Sequence, residues 1–130
     1  MKNILIIDDA SYIIESLKFV LTQKGLNIHS AYDGQNALDI LENNPIDVIL
    51  TDLNMPNMDG FEMTRKIRSN PNHKKLPIIA YTGYVDSIHL AQANEAGVTE
   101  ILTKPLTVEA VFKVIKKYLK KISGPISSRR

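Results

Sequence analysis

The stretch Asp47-Val48-Ile49-Leu50-Thr51-Asp52-Leu53-Asn54-Met55-Pro56-Asn57-Met58-Asp59-Gly60 decides the fold. Asp47 to Thr51 is apolar through its centre, which predicts a strand buried on both faces. The apolar run stops at a carboxylate, Asp52. After a loop, Asp59-Gly60-Phe61-Glu62 has a capping-box pattern and predicts a helix to about Ser69. A doubly buried strand followed by a crossover helix is the building unit of a parallel α/β sheet.

The same unit recurs on both sides of this stretch. Ile4 to Ile7 is apolar at every position and predicts a strand, and Ser11 to Lys24 predicts a helix with Ile14, Leu17, Val20 and Leu21 on one face. Gly25 is placed to end that helix. Leu26 to Ala31 predicts a weaker strand, Asp33-Gly34 a turn, and Gln35 to Asn43 a short helix stopped by Asn44-Pro45. Downstream, Pro71 and Pro77 bracket a polar loop, and Ile78 to Thr82 predicts a fourth strand. Ser87 to Ala96 is an Ala-rich helix closed by Gly97, and Glu100 to Thr103 a fifth strand. Thr107 caps a last helix with Val111, Val114, Ile115, Tyr118 and Ile122 on one stripe. Five strands alternating with five helices imply right-handed crossovers and helices on both faces of the sheet.

Composition removes other classes. At 130 residues the chain is one domain. It has no Cys, which excludes disulfides, thiolate metal sites and Cys nucleophiles. No apolar run approaches the ~18 residues of a membrane span. With no targeting segment, a cytoplasmic location is expected. The net charge of +2 hides an asymmetry: residues 1–103 carry 8 Lys and Arg against 13 Asp and Glu (net −5), and residues 104–130 carry 8 against 1 (net +7). Lys113, Lys116, Lys117, Lys120 and Lys121 lie mostly opposite the apolar stripe, as on a solvated helix face. No room remains after residue 122 for a helix-turn-helix, so direct DNA binding is not expected. Residues 123–130 carry no core pattern and read as a flexible tail or the start of a linker.

In an open parallel sheet, ligands bind beyond the carboxyl ends of the strands. There the chain places Asp8 and Asp9, Thr51-Asp52, Thr82-Gly83 and Thr103-Lys104-Pro105. Converging carboxylates repel one another and call for raised pKa values or a bound cation. Oxygen donors without nearby His or Cys favour a hard ion, Mg²⁺ or Mn²⁺. Lys104 and Thr82 suit a phosphoryl group, and a carboxylate can accept one. Asp52 ends the central strand and is the natural acceptor.

These motifs resemble the receiver domains of two-component response regulators, over roughly residues 2–122. The resemblance rests on Asp8-Asp9, the run Asp52 to Gly60, Thr82-Gly83 and Lys104-Pro105. It implies a flavodoxin-like (βα)5 three-layer sandwich with strand order 2-1-3-4-5. It implies that Asp52 takes a phosphoryl group from the phosphohistidine of a sensor histidine kinase or phosphotransfer protein. Asp9 and Asp52 would ligate Mg²⁺ directly, joined by the backbone carbonyl of Asn54, with Asp8 acting largely through water. Lys104 would pair with the phosphoryl group, Thr82 would swing in to bond it, and the Lys104–Pro105 bond would be cis. Met55-Pro56 and Asp59-Gly60 would shape the loop beside the acceptor. The domain would catalyse only its own phosphorylation and dephosphorylation, then present a changed surface to an output partner that the sequence does not name.

Two positions depart from or modulate this pattern. Three residues before Lys104 the family usually has Tyr or Phe; this chain has Ile101, with no hydroxyl and less area. Tyr84, two residues after Thr82, is expected to take over part of the reporting role. With Asn54, it is also expected to slow loss of the phosphoryl group. Gly83 is expected to keep side-chain bulk out of the phosphoryl pocket.

Plainer readings stand beside these. An acidic pair alone is a solvated loop, and Thr82 alone is a strand-end hydroxyl. His29, His73 and His89 match no ligand spacing and read as surface or packing residues, as do Met55 and Met58. The enzyme-class alternative is a Mg²⁺-dependent phosphatase or phosphotransferase with an aspartyl-phosphate intermediate. Such enzymes usually need an acid two residues after the nucleophile, where this chain has Asn54. A flavin-binding module would need a hydroxyl- and Gly-rich phosphate loop where Asp8-Asp9 stand.

Overall fold

A computed structural model describes residues 2–55, 59–83 and 86–128, with side chains through Lys120. Five strands, β1 (Asn3–Ile7), β2 (Asn27–Ala31), β3 (Val48–Asp52), β4 (Ile78–Thr82) and β5 (Glu100–Thr103), alternate with helices α1 (Ser11–Gln23), α2 (Gly34–Asn43), α3 (Gly60–Ser69), α4 (Ser87–Ala96) and α5 (Val108–Ser128). The strands form one parallel sheet of order β2-β1-β3-β4-β5. This is the expected flavodoxin-like arrangement.

Period-two alternation divides the strand residues between two cores. On one face Ile4, Ile6, Val48, Leu50, Ile79 and Tyr81 pack against Ile14, Leu17 and Leu21 of α1 and Val111, Val114, Ile115 and Tyr118 of α5. On the other, Leu5, Ile7, Ile49 and Ile78 pack against α2 and α3 through Ala37, Leu41, Met63 and Ile67. A smaller cluster of Leu53, Ala80 and Ala93 seats α4, with Ile101 packed against it. Among the described residues no buried side-chain nitrogen or oxygen lacks a partner.

Several boundaries differ from the sequence reading, each for a local reason. Gly34 begins α2 rather than completing a turn, because the Asp33 side chain accepts from the Asn36 N–H and caps the helix. The third strand is shifted one residue, to end on Asp52. Asp47 is left outside, where its side chain accepts from the Asn3 N–H. The first helix stops at Gln23, with Gly25 at φ +88° just beyond. The polar loop between the prolines holds a 3₁₀ turn over Pro71–His73. The last helix continues past residue 122 to Ser128. Ile122 and Lys121 lie outside the described side chains.

Other start and stop signals act as the sequence implied. The Asp59 side chain accepts from the Glu62 N–H, and Thr107 accepts from the Ala110 N–H. Gly97 closes α4 at φ +106°. Arg68 ties α3 to the far end of the sheet: its guanidinium donates to the carbonyls of Gly97, His73, Lys74 and Leu76 and to Thr99 Oγ1.

Candidate functional site

The alternation that builds the cores also aims the site. Asp52 shares the parity of Val48 and Leu50, and Asp8 that of Ile4 and Ile6, so both carboxylates rise from the α1/α5 side of the sheet. Tyr81, the register partner of Asp52, lies on the same face. Lys104 follows β5, and its backbone N–H donates to the Thr82 carbonyl.

Asp8, Asp9 and Asp52 each offer a carboxylate oxygen within 4.8 Å of the others. Asp8 and Asp52 are buried and Asp9 is exposed. The group therefore opens to water on one side. Asp8 Oδ1 accepts from the Ala10 N–H at 2.8 Å, and Oδ2 accepts from the Tyr81 hydroxyl at 2.6 Å. Asp52 Oδ1 accepts from the Asn54 N–H at 2.9 Å, and Lys104 Nζ stands 3.2 Å from Oδ2. Thr82 ends β4 with its side chain buried. The Lys104–Pro105 peptide is cis.

Burial pushes the Asp8 carboxyl above its ordinary range. The Tyr81 and Ala10 donors oppose this shift, and the Asp52 charge adds to it. The Tyr81 phenol is likewise raised, by burial first and then by its bond to Asp8. With one ammonium among three carboxylates, the ionised site retains excess negative charge. An oxygen-only donor set with that excess and an open side fits a hydrated divalent cation. Asp8, Asp9 and Asp52 are the residues whose carboxylates could hold it.

The structure thus brings together Asp8, Asp9, Asp52 and Lys104, and places Thr82 at the end of the neighbouring strand. Asn54 is exposed, with its N–H on Asp52. Ile101 is half-buried against the cluster under α4. Tyr84, Pro56 and Met58 lie outside the described residues. Met55 packs in the α2/α3 core, as expected. His89 pairs with Asp86, Nδ1 to Oδ2 at 2.6 Å, at the start of α4. A Cβ built on Gly83 meets no described atom within 4 Å. The constrained glycine is Gly60, whose added Cβ would lie 2.6 Å from Leu53 Cα and 2.9 Å from the Asp52 carbonyl oxygen. Tyr81 was missed from sequence, where it reads as one more residue of an apolar strand. Its parity with Asp52 is the signal that marks it, because a buried tyrosine hydroxyl needs a partner.

A family model, the response regulator receiver domain, matches residues 4–116. The chain belongs to this family. It is 33% identical over 123 residues to the chemotaxis protein CheY of Pseudomonas aeruginosa, covering 94% of this chain and 99% of that one. It is 35% identical over 115 residues to a probable chemotaxis protein CheY of Rhizobium etli, covering 88% and 89%. The structure of chemotaxis protein CheY4 of Vibrio cholerae superposes with a TM-score of 0.87 at 30% identity, over 91% of this chain and 98% of that one. The chain also matches part of a longer protein, the sensor histidine kinase RcsC of Salmonella typhi, at 33% identity over 12% of its length. This receiver domain is thus a component of phosphorelay signalling, in a family that works with sensor histidine kinases. Membership, together with Asn54 two residues after Asp52, disfavours the phosphatase alternative. Among the described residues no helix is long and apolar enough to cross a membrane.

Proposed function

We propose that Asp52 is the phosphoacceptor of this receiver and that Mg²⁺ is its cofactor, with Mn²⁺ an acceptable substitute. The observation that carries this is the buried Asp52 carboxylate beside two further carboxylates and 3.2 Å from the Lys104 ammonium. A cation at this site supplies charge neutralisation for the incoming phosphoryl oxygens. Asp9 and Asp52 would hold it directly, with the Asn54 carbonyl. Asp8, whose two oxygens already accept from Ala10 and Tyr81, would reach it through water.

In the reaction, an Asp52 carboxylate oxygen forms the new P–O bond as the P–N bond to the donor imidazole breaks. The electron pair leaves on that imidazole nitrogen, and the product is an acyl phosphate. Forming the acyl phosphate removes the Asp52 carboxylate charge, and the Lys104 ammonium pairs instead with the phosphoryl oxygens. Thr82, at the end of the neighbouring strand, bonds the group from the α4 side and changes the β4–α4 surface. Ile101 packs into the space that follows, Tyr84 and Asn54 restrain the attacking water, Gly83 keeps side-chain bulk out of the phosphoryl pocket, and Pro105 fixes the turn that points Lys104.

The chain acts on itself rather than turning over a separate substrate. Its donor is a sensor histidine kinase or phosphotransfer protein, and its setting the cytoplasm. Residues 1–122 form the receiver and 123–130 a tail or linker start. Phosphotransfer from a radiolabelled histidine-phosphorylated donor tests this reading. Label should move to the chain with Mg²⁺ and not with excess chelator. Transfer that ignores the chelator would contradict the metal's role, and transfer to an Asp52→Asn variant would contradict the acceptor.

A further inference from the structure

Tyr81 sits where a receiver's chemistry and its core meet. Its ring is fully buried among the α1/α5-side core residues. Its hydroxyl leaves that core and donates to Asp8 Oδ2 at 2.6 Å, with the Ile7 carbonyl farther off at 3.4 Å. The Lys104 ammonium lies 5.6 Å from the ring centroid, within cation–π range. One side chain therefore touches both the acidic group and the phosphoryl-binding cation.

We propose that Tyr81 is a positioning residue of the metal site, fixing the Asp8 carboxylate through its hydroxyl and steadying Lys104 through its ring. This rests on the metal-site reading given above. The Asp8 carboxylate has two anchors, the Ala10 N–H two residues along the chain on one oxygen and the Tyr81 hydroxyl of β4 on the other. Rotating it breaks one of them. Each carboxylate oxygen accepts more than one hydrogen bond, so both remain able to receive metal-bound water. Partners that orient a metal-site acid in this way typically carry about 10- to 100-fold in metal affinity. A purely structural tyrosine would instead carry its weight in packing, which its ring supplies without the hydroxyl.

Tyr81→Phe separates the two roles, because it keeps the ring over Lys104 and removes only the donor. The probe is Mg²⁺ alone, titrated calorimetrically into the full chain, with thermal melts in chelator as a check on folding. The expected result is a roughly tenfold weaker Mg²⁺ affinity in Tyr81→Phe. In an Asp8→Ala background the same substitution should change nothing, because the group it positions is gone. A second readout is the Tyr81 hydroxyl proton, which should give a slowly exchanging, far-downfield resonance in the metal-free protein and move when Mg²⁺ is added. An affinity within twofold of the parent, an equal loss in the Asp8→Ala background, or a hydroxyl resonance indifferent to Mg²⁺ would each overturn the proposal. A parent protein that binds no Mg²⁺ would overturn the metal-site reading itself, and this inference with it.

Discussion

Gly60→Ala is the substitution whose cost the structure sets most sharply. Gly60 starts α3 and donates its N–H to the Leu53 carbonyl at 3.0 Å, which draws the helix onto the backbone just beyond the acceptor. An added Cβ would lie 2.6 Å from Leu53 Cα, 2.9 Å from the Asp52 carbonyl oxygen and 2.9 Å from Leu53 Cδ2. Two of those three are backbone atoms, which a rotamer change cannot relieve. The β3 end or the α3 start must move. Overpacking of this kind costs about 1–3 kcal/mol, and backbone contacts place it near the upper end, about 2–3 kcal/mol. For a domain of this size that is a drop of roughly 6–15 °C in Tm. The same displacement pulls on Asp52, whose carbonyl also accepts from Thr51 Oγ1 at 2.8 Å, so Mg²⁺ affinity should fall as well. Gly83→Ala is the control, since its Cβ meets no described atom within 4 Å: Tm should stay level or rise slightly. Differential scanning calorimetry of the two variants reads both. A Gly60→Ala protein melting within about 1 °C of the parent would refute the close-approach argument.

Arg68→Ala should destabilise by about 2–3 kcal/mol by chemical denaturation, because it strips a shared charged donor from the carbonyls of Gly97, His73 and Leu76; Arg68→Lys should recover only part. Burial holds the Asp8 carboxyl above its unfolded value, so the folded state keeps that proton longer. Its contribution to stability therefore falls as pH rises from the unfolded pKa of about 3.9 through the raised folded value, and the penalty persists at neutral pH. In chelator, Asp8→Asn should melt higher than the parent at pH 7 and converge with it below about pH 4, as Tm-against-pH curves will show. Lys104→Met removes the ammonium from Asp52 and leaves the site more negative, so calorimetry should find Mg²⁺ bound more tightly while reaction with acetyl phosphate slows.

Why some features were legible from the sequence and others were not has a physical basis. Ile4 to Ile7, Val48 to Leu50 and Ile78 to Ala80 are apolar on both faces because helices cover both sides, and that is visible one residue at a time. The carboxylates were legible because each follows such a run. Strand ends were less so: Asp52 belongs to β3 because it pairs with Tyr81, a fact of the neighbouring strand. Gly34 looked like a turn residue, and only the bond from the Asn36 N–H to Asp33 makes it the first residue of a helix. Glycines carry no label for which one is crowded, and the close approach at Gly60 exists only because α3 is seated on Leu53. Tyr81 was hidden for the same reason. Its hydroxyl meets Asp8 only because β4, β3 and β1 lie side by side.

Asp52 is proposed to accept a phosphoryl group with the help of a divalent cation. The most direct measurement is intact mass after incubation with acetyl phosphate and Mg²⁺, followed by borohydride reduction and peptide mapping. The expected result is the gain of one phosphoryl group, lost in chelator and in Asp52→Asn, with reduction marking Asp52 alone. No mass gain, or a mark on any other residue, would contradict it.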